Sequence, residues 1–172
     1  MSVFSLKSEP LVGIDISSTA IKLLELSQAG KGYRVESYAM ELLPEKAIED
    51  KKLVDLEIVG DAISRVVKRA KPKAQHAAIA VAGPAVITKV IQMDGGMSDQ
   101  DMKEQIEEDP GQYLAIESND IHFDFLVIGP NEKEPDRVDV LLAACSSDTL
   151  EERITALELG GLKPKIVDIE KY

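Results

Sequence analysis

Leu11-Val-Gly-Ile-Asp-Ile-Ser-Ser-Thr-Ala-Ile-Lys-Leu-Leu-Glu-Leu26 reads as two apolar strands joined by a hydroxyl-rich turn, with one carboxylate, Asp15, at the end of the first strand. Ser17, Ser18 and Thr19 set three hydroxyls beside backbone N–H groups that a tight turn can aim at one point, and Lys22 adds a positive charge. These are the parts of an anion site. Asp15 would repel a phosphate unless a cation lay between them, so the pattern predicts Mg²⁺ at Asp15, held through water. The same residues also read as an ordinary hairpin. The usual hairpin signals, Asn-Gly or Asp-Gly, are missing from the turn, which favours the anion-site reading.

Outward from this hairpin, Gly30-Lys-Gly32 supplies a turn and Tyr33 to Leu43 alternates as a third strand. After a charged connection from Pro44 to Lys52, the positions Val59, Ala62, Ile63, Val66, Val67 and Ala70 repeat at helical spacing. Lys68, Arg69 and Lys71 suit the last turn of that helix, and Pro72 stops it. Two strands are expected next, Ala77–Ala82 and Ala85–Met93, broken at Gly83-Pro84. Ser98 with Asp101 forms a capping pair that starts a helix near Asp99, which should end near Asp109-Pro110-Gly111. Strands Ile121–Ile128 and Arg137–Cys145 follow, separated by a polar turn. Asp148 with Glu151 is expected to cap a last helix that turns Leu150, Ile154 and Leu157 inward and ends at Gly160-Gly161. Lys165 to Ile169 closes the chain as a strand, and the joint between two subdomains is expected at Pro72-Lys73-Ala74.

With 172 residues, 44% of them hydrophobic and 30% charged, the chain can bury one good core or two small lobes. A net charge of −11 argues against nucleic acid and anionic lipid as partners. No run reaches the about 18 apolar residues a membrane span needs, and residues 1–10 lack a signal-peptide pattern, so a cytoplasmic location is expected. The single Cys145, inside Leu141-Leu-Ala-Ala-Cys145, excludes an internal disulfide and reads as inert strand packing. His76 and His122 stand apart from any ligand cluster.

Gly13-Ile-Asp-Ile-Ser-Ser-Thr-Ala-Ile-Lys22 resembles the first phosphate motif of the actin-like ATPase superfamily, whose usual form is Asp-x-Gly-Ser/Thr. The Ser-Ser-Thr variant followed by Lys-Leu-Leu-Glu-Leu26 is similar to the PilM family of the type IV pilus inner-membrane platform. The likeness continues in Ala78-Ile-Ala-Val-Ala-Gly83, in Asp124-Phe125 and in Gly160-Gly-Leu-Lys-Pro-Lys-Ile-Val-Asp-Ile-Glu170. It implies an α/β fold: an actin-like, ribonuclease H-like subdomain over residues 1–73, a small inserted α/β subdomain of the SHS2 type, as in FtsA, over 74–162, and a return to the first over 163–172. It further implies ATP and Mg as cofactors, with Asp15, Ser17, Ser18, Thr19 and Lys22 as the binding residues and Asp15 on the metal.

The implied role is a scaffold without a catalytic residue. It would dock the amino-terminal cytoplasmic tail of PilN between the two subdomains and, with other pilus platform components, reach the inner-membrane face through partners. Strands Leu11–Ser17, Ala77–Ala82 and Ile121–Ile128 are the candidates for presenting an edge to that tail. Leu24 is expected in the core, with Asp15 and Thr19 facing the site. The family's second phosphate motif and adenosine-contacting Gly-Gly are missing from this sequence, since Gly95-Gly96 and Gly160-Gly161 sit at helix ends. The chain is therefore expected to be the amino-terminal portion of a longer protein. It departs from the family pattern at Ser17, where most superfamily ATPases have Gly, and at Ala115-Ile-Glu-Ser-Asn119, where Pro-aromatic-Pro is usual. Two other readings stand beside this one. A small-molecule kinase of the superfamily would need a base, for which Asp94 is the loop carboxylate available, and the type II secretion platform protein shares a similar fold.

Overall fold

Alternating apolar positions in the opening hairpin produce the strands the pattern predicts: β1 (Leu11–Ile16), β2 (Ala20–Ala29) and β3 (Gly32–Leu42) form an antiparallel meander. The computed structural model describes residues 10–45, 47–49, 52–81, 86–114 and 120–169. They divide into two compact units, Met1–Gly83 with Glu151–Tyr172, and Pro84–Leu150.

In the first unit the β2–β3 turn uses Gly30 at φ +64°, a conformation glycine enters without the Cβ clash. A two-residue pair, β4 (Ile48–Glu49) with β5 (Lys52–Leu53), leads into α1 (Leu56–Ala70). Asp55 caps α1, its carboxylate accepting from the Ile58 N–H at 3.0 Å, and Lys71 closes it in the left-handed region, its N–H donating to the Val67 carbonyl. Lys71 precedes Pro72, and the proline ring disfavours a right-handed helical conformation there. β6 (His76–Val81) then pairs parallel with β1, and β10 (Lys163–Ile169) pairs parallel with β6, giving the order β10-β6-β1-β2-β3.

One face of this mixed sheet buries Val12, Ile14, Ile21 and Leu23 in a core shared with Val59, Ala62, Ile63 and Val66 of α1. Leu24 is on the opposite face, paired across from Tyr38, and is 43% exposed, so the expectation that it fills the core is overturned. Strand periodicity sends neighbours to opposite faces, and both Leu23 and Leu24 are apolar, so the pattern alone did not choose between them.

The second unit is a three-stranded antiparallel sheet, order β7-β9-β8, made of β7 (Val86–Asp94), β8 (Ile121–Pro130) and β9 (Arg137–Ser146). Helix α2 (Asp99–Glu108) starts at the predicted capping box: Ser98 and Asp101 exchange side-chain-to-backbone hydrogen bonds. The proline break is followed by one further turn, α3 (Pro110–Tyr113). Met102, Ile106, Tyr113 and Leu114 cover Ile91, Met93, Val140 and Leu142 in a core of its own. The break expected at Gly83-Pro84 and the segment 115–119 lie outside the described residues.

Helix α4 (Ser147–Leu159) carries the chain from the second unit to the first. The side chain closing its first turn is Ser146, whose hydroxyl accepts from the Thr149 N–H at 3.3 Å. Asp148, the expected cap, sits inside that first turn. The buried positions are Ser147, Arg153, Ala156 and Leu157, while the expected Leu150 and Ile154 are half-buried. Gly160 and Gly161 end the helix as predicted, with the Leu162 N–H returning to the Leu157 carbonyl. Gly160 has a second reason to be glycine: a Cβ there would stand 2.2 Å from the Ile63 Cγ2.

The boundaries differ from the expected divisions at 73/74 and 162/163. Residues 74–81, 151–162 and β10 all belong with β1 in the first unit. The expected joint is fastened down there. Glu25, 3% exposed, accepts from the Ala74 N–H at 2.9 Å, from the Lys73 N–H at 3.1 Å and from the Ser37 hydroxyl at 3.1 Å. Glu36 accepts from the Lys73 ammonium at 3.1 Å. A carboxylate can gather several donors at once, and these two hold Lys73 and Ala74 against β2 and β3.

Candidate functional site

Register positions the hairpin's polar residues. Asp15 lies directly opposite Lys22 across β1 and β2, and their side chains form an ion pair of 2.7 Å on the sheet face turned away from α1's core. Both side chains are about half exposed. In the turn, the Ser17 N–H donates to the Ala20 carbonyl at 3.0 Å; the Ser17 hydroxyl donates to that same carbonyl at 2.9 Å and accepts from the Ala20 N–H at 3.2 Å. Ser17 therefore closes the loop with its own side chain. Ser18 and Thr19 are exposed at its tip, and the Thr19 carbonyl accepts from the Leu43 N–H, which ties the tip to the end of β3.

The five predicted residues thus come together, but with divided tasks. Asp15, Lys22 and the hydroxyls of Ser18 and Thr19 stand accessible at one end of the hairpin, whereas Ser17 shapes it. Sequence reasoning missed the Asp15–Lys22 pairing, although cross-strand register follows once a two-residue turn at Ser18-Thr19, closed by Ser17 and Ala20, is assumed. Asp94, the alternative base, accepts from the Gly96 N–H at 2.7 Å and serves its turn. Cys145 is buried, and that burial pushes its thiol pKa upward, away from nucleophile chemistry. Among the described residues no group of three His, Cys, Asp or Glu side chains could hold a metal, and no helix is long and apolar enough to cross a membrane.

Of the three strands expected to offer an edge, β1 and β6 are paired on both sides, and only β8 is at the edge of its sheet. Parallel pairing of β6 between β1 and β10 consumes the two other edges.

Three antiparallel strands, a helix, and parallel strands laid beside the first, interrupted by a small α/β unit, define an actin-like half with a hydroxyl turn between β1 and β2. The chain belongs to the type IV pilus assembly protein PilM family, whose family model matches residues 13–172. The structure of a PilM-PilN type IV pilus biogenesis complex is similar at a TM-score of 0.80 and 22% identity, covering 93% of this chain and 47% of that one. The cytoplasmic domain of EpsL, an inner membrane component of the type II secretion system of Vibrio cholerae, matches at a TM-score of 0.58 and 13% identity over 94% of this chain and 57% of that one. The chain thus spans about half the length of the solved structures it resembles.

Proposed function

We propose that this chain is part of a cytoplasmic actin-like scaffold of the type IV pilus platform, which binds the amino-terminal tail of a PilN-type membrane partner and, in its longer form, ATP with Mg²⁺. One observation supports the reading most: a PilM-family chain with 93% of its length covered, at a TM-score of 0.80, by its likeness to a PilM-PilN type IV pilus biogenesis complex. The type II secretion alternative rests on fold likeness alone at 13% identity, and the family assignment favours the pilus. The family assignment likewise favours the pilus over the kinase alternative, whose candidate base Asp94 accepts from the Gly96 N–H within its own turn.

The accessible groups of the hairpin suit the cofactor's polyphosphate end. Asp15 would hold a hydrated Mg²⁺, since magnesium keeps several waters and takes one or two carboxylates. Ser18 and Thr19 hydroxyls and Lys22 would face phosphate oxygens, with Ser17 keeping the loop closed around them. A scaffold role needs no proton transfer from these residues. In the longer protein, Asp15→Ala and Thr19→Ala should weaken ATP·Mg binding by calorimetry while leaving the melting temperature unchanged; a lowered melting temperature with intact affinity would make both residues structural. Titrating a labelled PilN-type amino-terminal peptide into the chain tests the partner: saturable one-to-one binding is expected, and none at millimolar peptide would overturn the scaffold reading.

A further inference from the structure

The whole net charge of the chain resides in the second unit. Residues 84–150 contain fifteen acidic and four basic side chains, a net of −11 that equals the value for all 172 residues, so the first unit is balanced. The four bases are engaged within the unit or beside acids: Lys89 donates to the Tyr113 carbonyl, Lys103 pairs with Glu107 and Arg137 with Glu134, and Lys133 adjoins Glu132 and Glu134 in sequence. The acidic surface is therefore available for an outside cation.

β8 is ten residues long and has β9 on one side and no described strand on the other. Its outer edge runs beside a groove of about 520 Å³ lined by Asp99, Gln100 and Lys103 of α2 and by Asp124 to Val127 of the strand. On the open face of the sheet Leu126 and Ile128 are 65% and 59% exposed. A strand edge offers backbone donors and acceptors in register, and native proteins usually blunt such an edge with a lysine, a proline or a covering element. Here the interior of β8 contains neither lysine nor proline; its one acidic side chain is Asp124, Pro130 ends it, and its register against β9 shifts only near that end, between Val127 and Gly129, which leaves Ile121–Val127 as the regular edge.

We propose that the outer edge of β8, with the groove beside α2, docks an extended basic segment of a protein partner as an added strand. This edge site goes beyond the tail binding proposed above and belongs wholly to the second unit. Backbone pairing along β8 supplies the affinity. Apolar side chains of the segment would lie over Leu126 and Ile128 on the open face, and its lysines or arginines, on the alternate face, would meet Asp99 of α2, with Asp124 adding its negative charge at the groove. Charge selects this occupant over a second copy of the chain: pairing β8 with itself would bring together two units each at −11, a repulsive arrangement that charge complementarity avoids.

The probe is an acetylated, amidated peptide of alternating lysine and valine, about eight residues long, within the usual range of strand lengths. Titrated into the 172-residue chain, it should bind saturably and shift amides of residues 121–129 and 99–103. A glutamate–valine peptide should bind about ten-fold more weakly or worse, and the exposed double variant Asp99→Lys/Asp124→Lys should reverse that preference while remaining folded by circular dichroism. Four results would overturn the proposal: no binding, shifts spread over the acidic helix surface without β8, a dimer of the free chain by sedimentation whose interface protects β8, or displacement of the lysine–valine peptide by the PilN-type tail. Tail binding that survives in the double variant separates the two readings, since it preserves the platform role whether or not the edge site stands.

Discussion

The first unit turns its charges inward on its own fold, and the second turns them outward. Glu25, Glu36 and Glu41 of the first unit each fasten one element to another: Glu25 to Lys73 and Ala74, Glu36 to Ser27 and Lys73, Glu41 to Arg65 and Arg69 of α1. In the second unit the acids crowd α2 and the β8–β9 turn, with Asp101 capping a helix and Glu134 pairing with Arg137 three residues on. Net charge is therefore a poor guide to a whole chain's partners when it is unevenly divided. The value of −11 argued against nucleic acid, but it left hidden that one unit is neutral and the other is the acidic surface.

The largest expected effects test whether the units are separately held. Each has its own apolar cluster, so Leu23→Ala and Leu142→Ala should each cost about 2–5 kcal/mol by denaturant melting. Amide exchange should then rise mainly in the unit that was cut, and equal loss of protection in both would break the comparison. Leu24→Ala, on the exposed face, should cost no more than about 0.5 kcal/mol.

Next comes Glu25→Ala, which strips a buried acceptor from the Lys73 and Ala74 N–H groups and should cost about 2 kcal/mol. Melting curves would check the magnitude, and exchange at residues 73–76 would check the cause. An unchanged melt would mean that the segment before β6 is held by β6 pairing alone.

Acid should act more on the first unit. Hydrogen bonds from Ser27, then Arg34 and Lys73, lower the Glu36 carboxyl to about 2, and the bond from Arg65 leads the lowering at Glu41. A carboxylate whose folded pKa is depressed stabilises above its unfolded pKa and loses that contribution as pH falls through the folded value. Protection in the first unit should therefore fall between about pH 4.5 and 2. Asp101, lowered mainly by the Ser98 hydroxyl, gives the second unit one loss of the same sign, but protonating its other acids relieves self-repulsion. Exchange measured across that range sharpens the contrast, and a parallel decline in both units would contradict it. The smallest effect is salt: raising it from about 0.01 to 1 M shortens the Debye length from about 30 to 3 Å and should modestly raise protection in the acidic unit alone.

Much of this was legible because it is local. The capping pair Ser98–Asp101, the strand alternation of the opening hairpin and the glycine stop at Gly160-Gly161 each lie within one turn or one strand of the groups they satisfy. The candidate site was legible in part: the hydroxyl turn and Asp15 could be found from residue types, but not that Ser17 bonds back to Ala20 or that Lys22 is opposite Asp15. Pro72-Lys73-Ala74 looked like a joint because its composition breaks a helix, and the carboxylate that holds it is forty-nine residues away at Glu25.

Where the main strands, helices and turns fall could be read locally, because propensity, capping and apolar period act over a few neighbouring residues; the short pair β4–β5 and the single turn α3 escaped that reading. Long-range pairing, by contrast, put β6 with β1 and β10 in the first unit and β7, a few residues later, with β9 in the second. Backbone pairing carries no signature of side-chain type, and both strands are apolar enough to fit either sheet. The same reason hid which leucine of the hairpin is core, which carboxylates are structural, and that β8 has no described strand on its outer side.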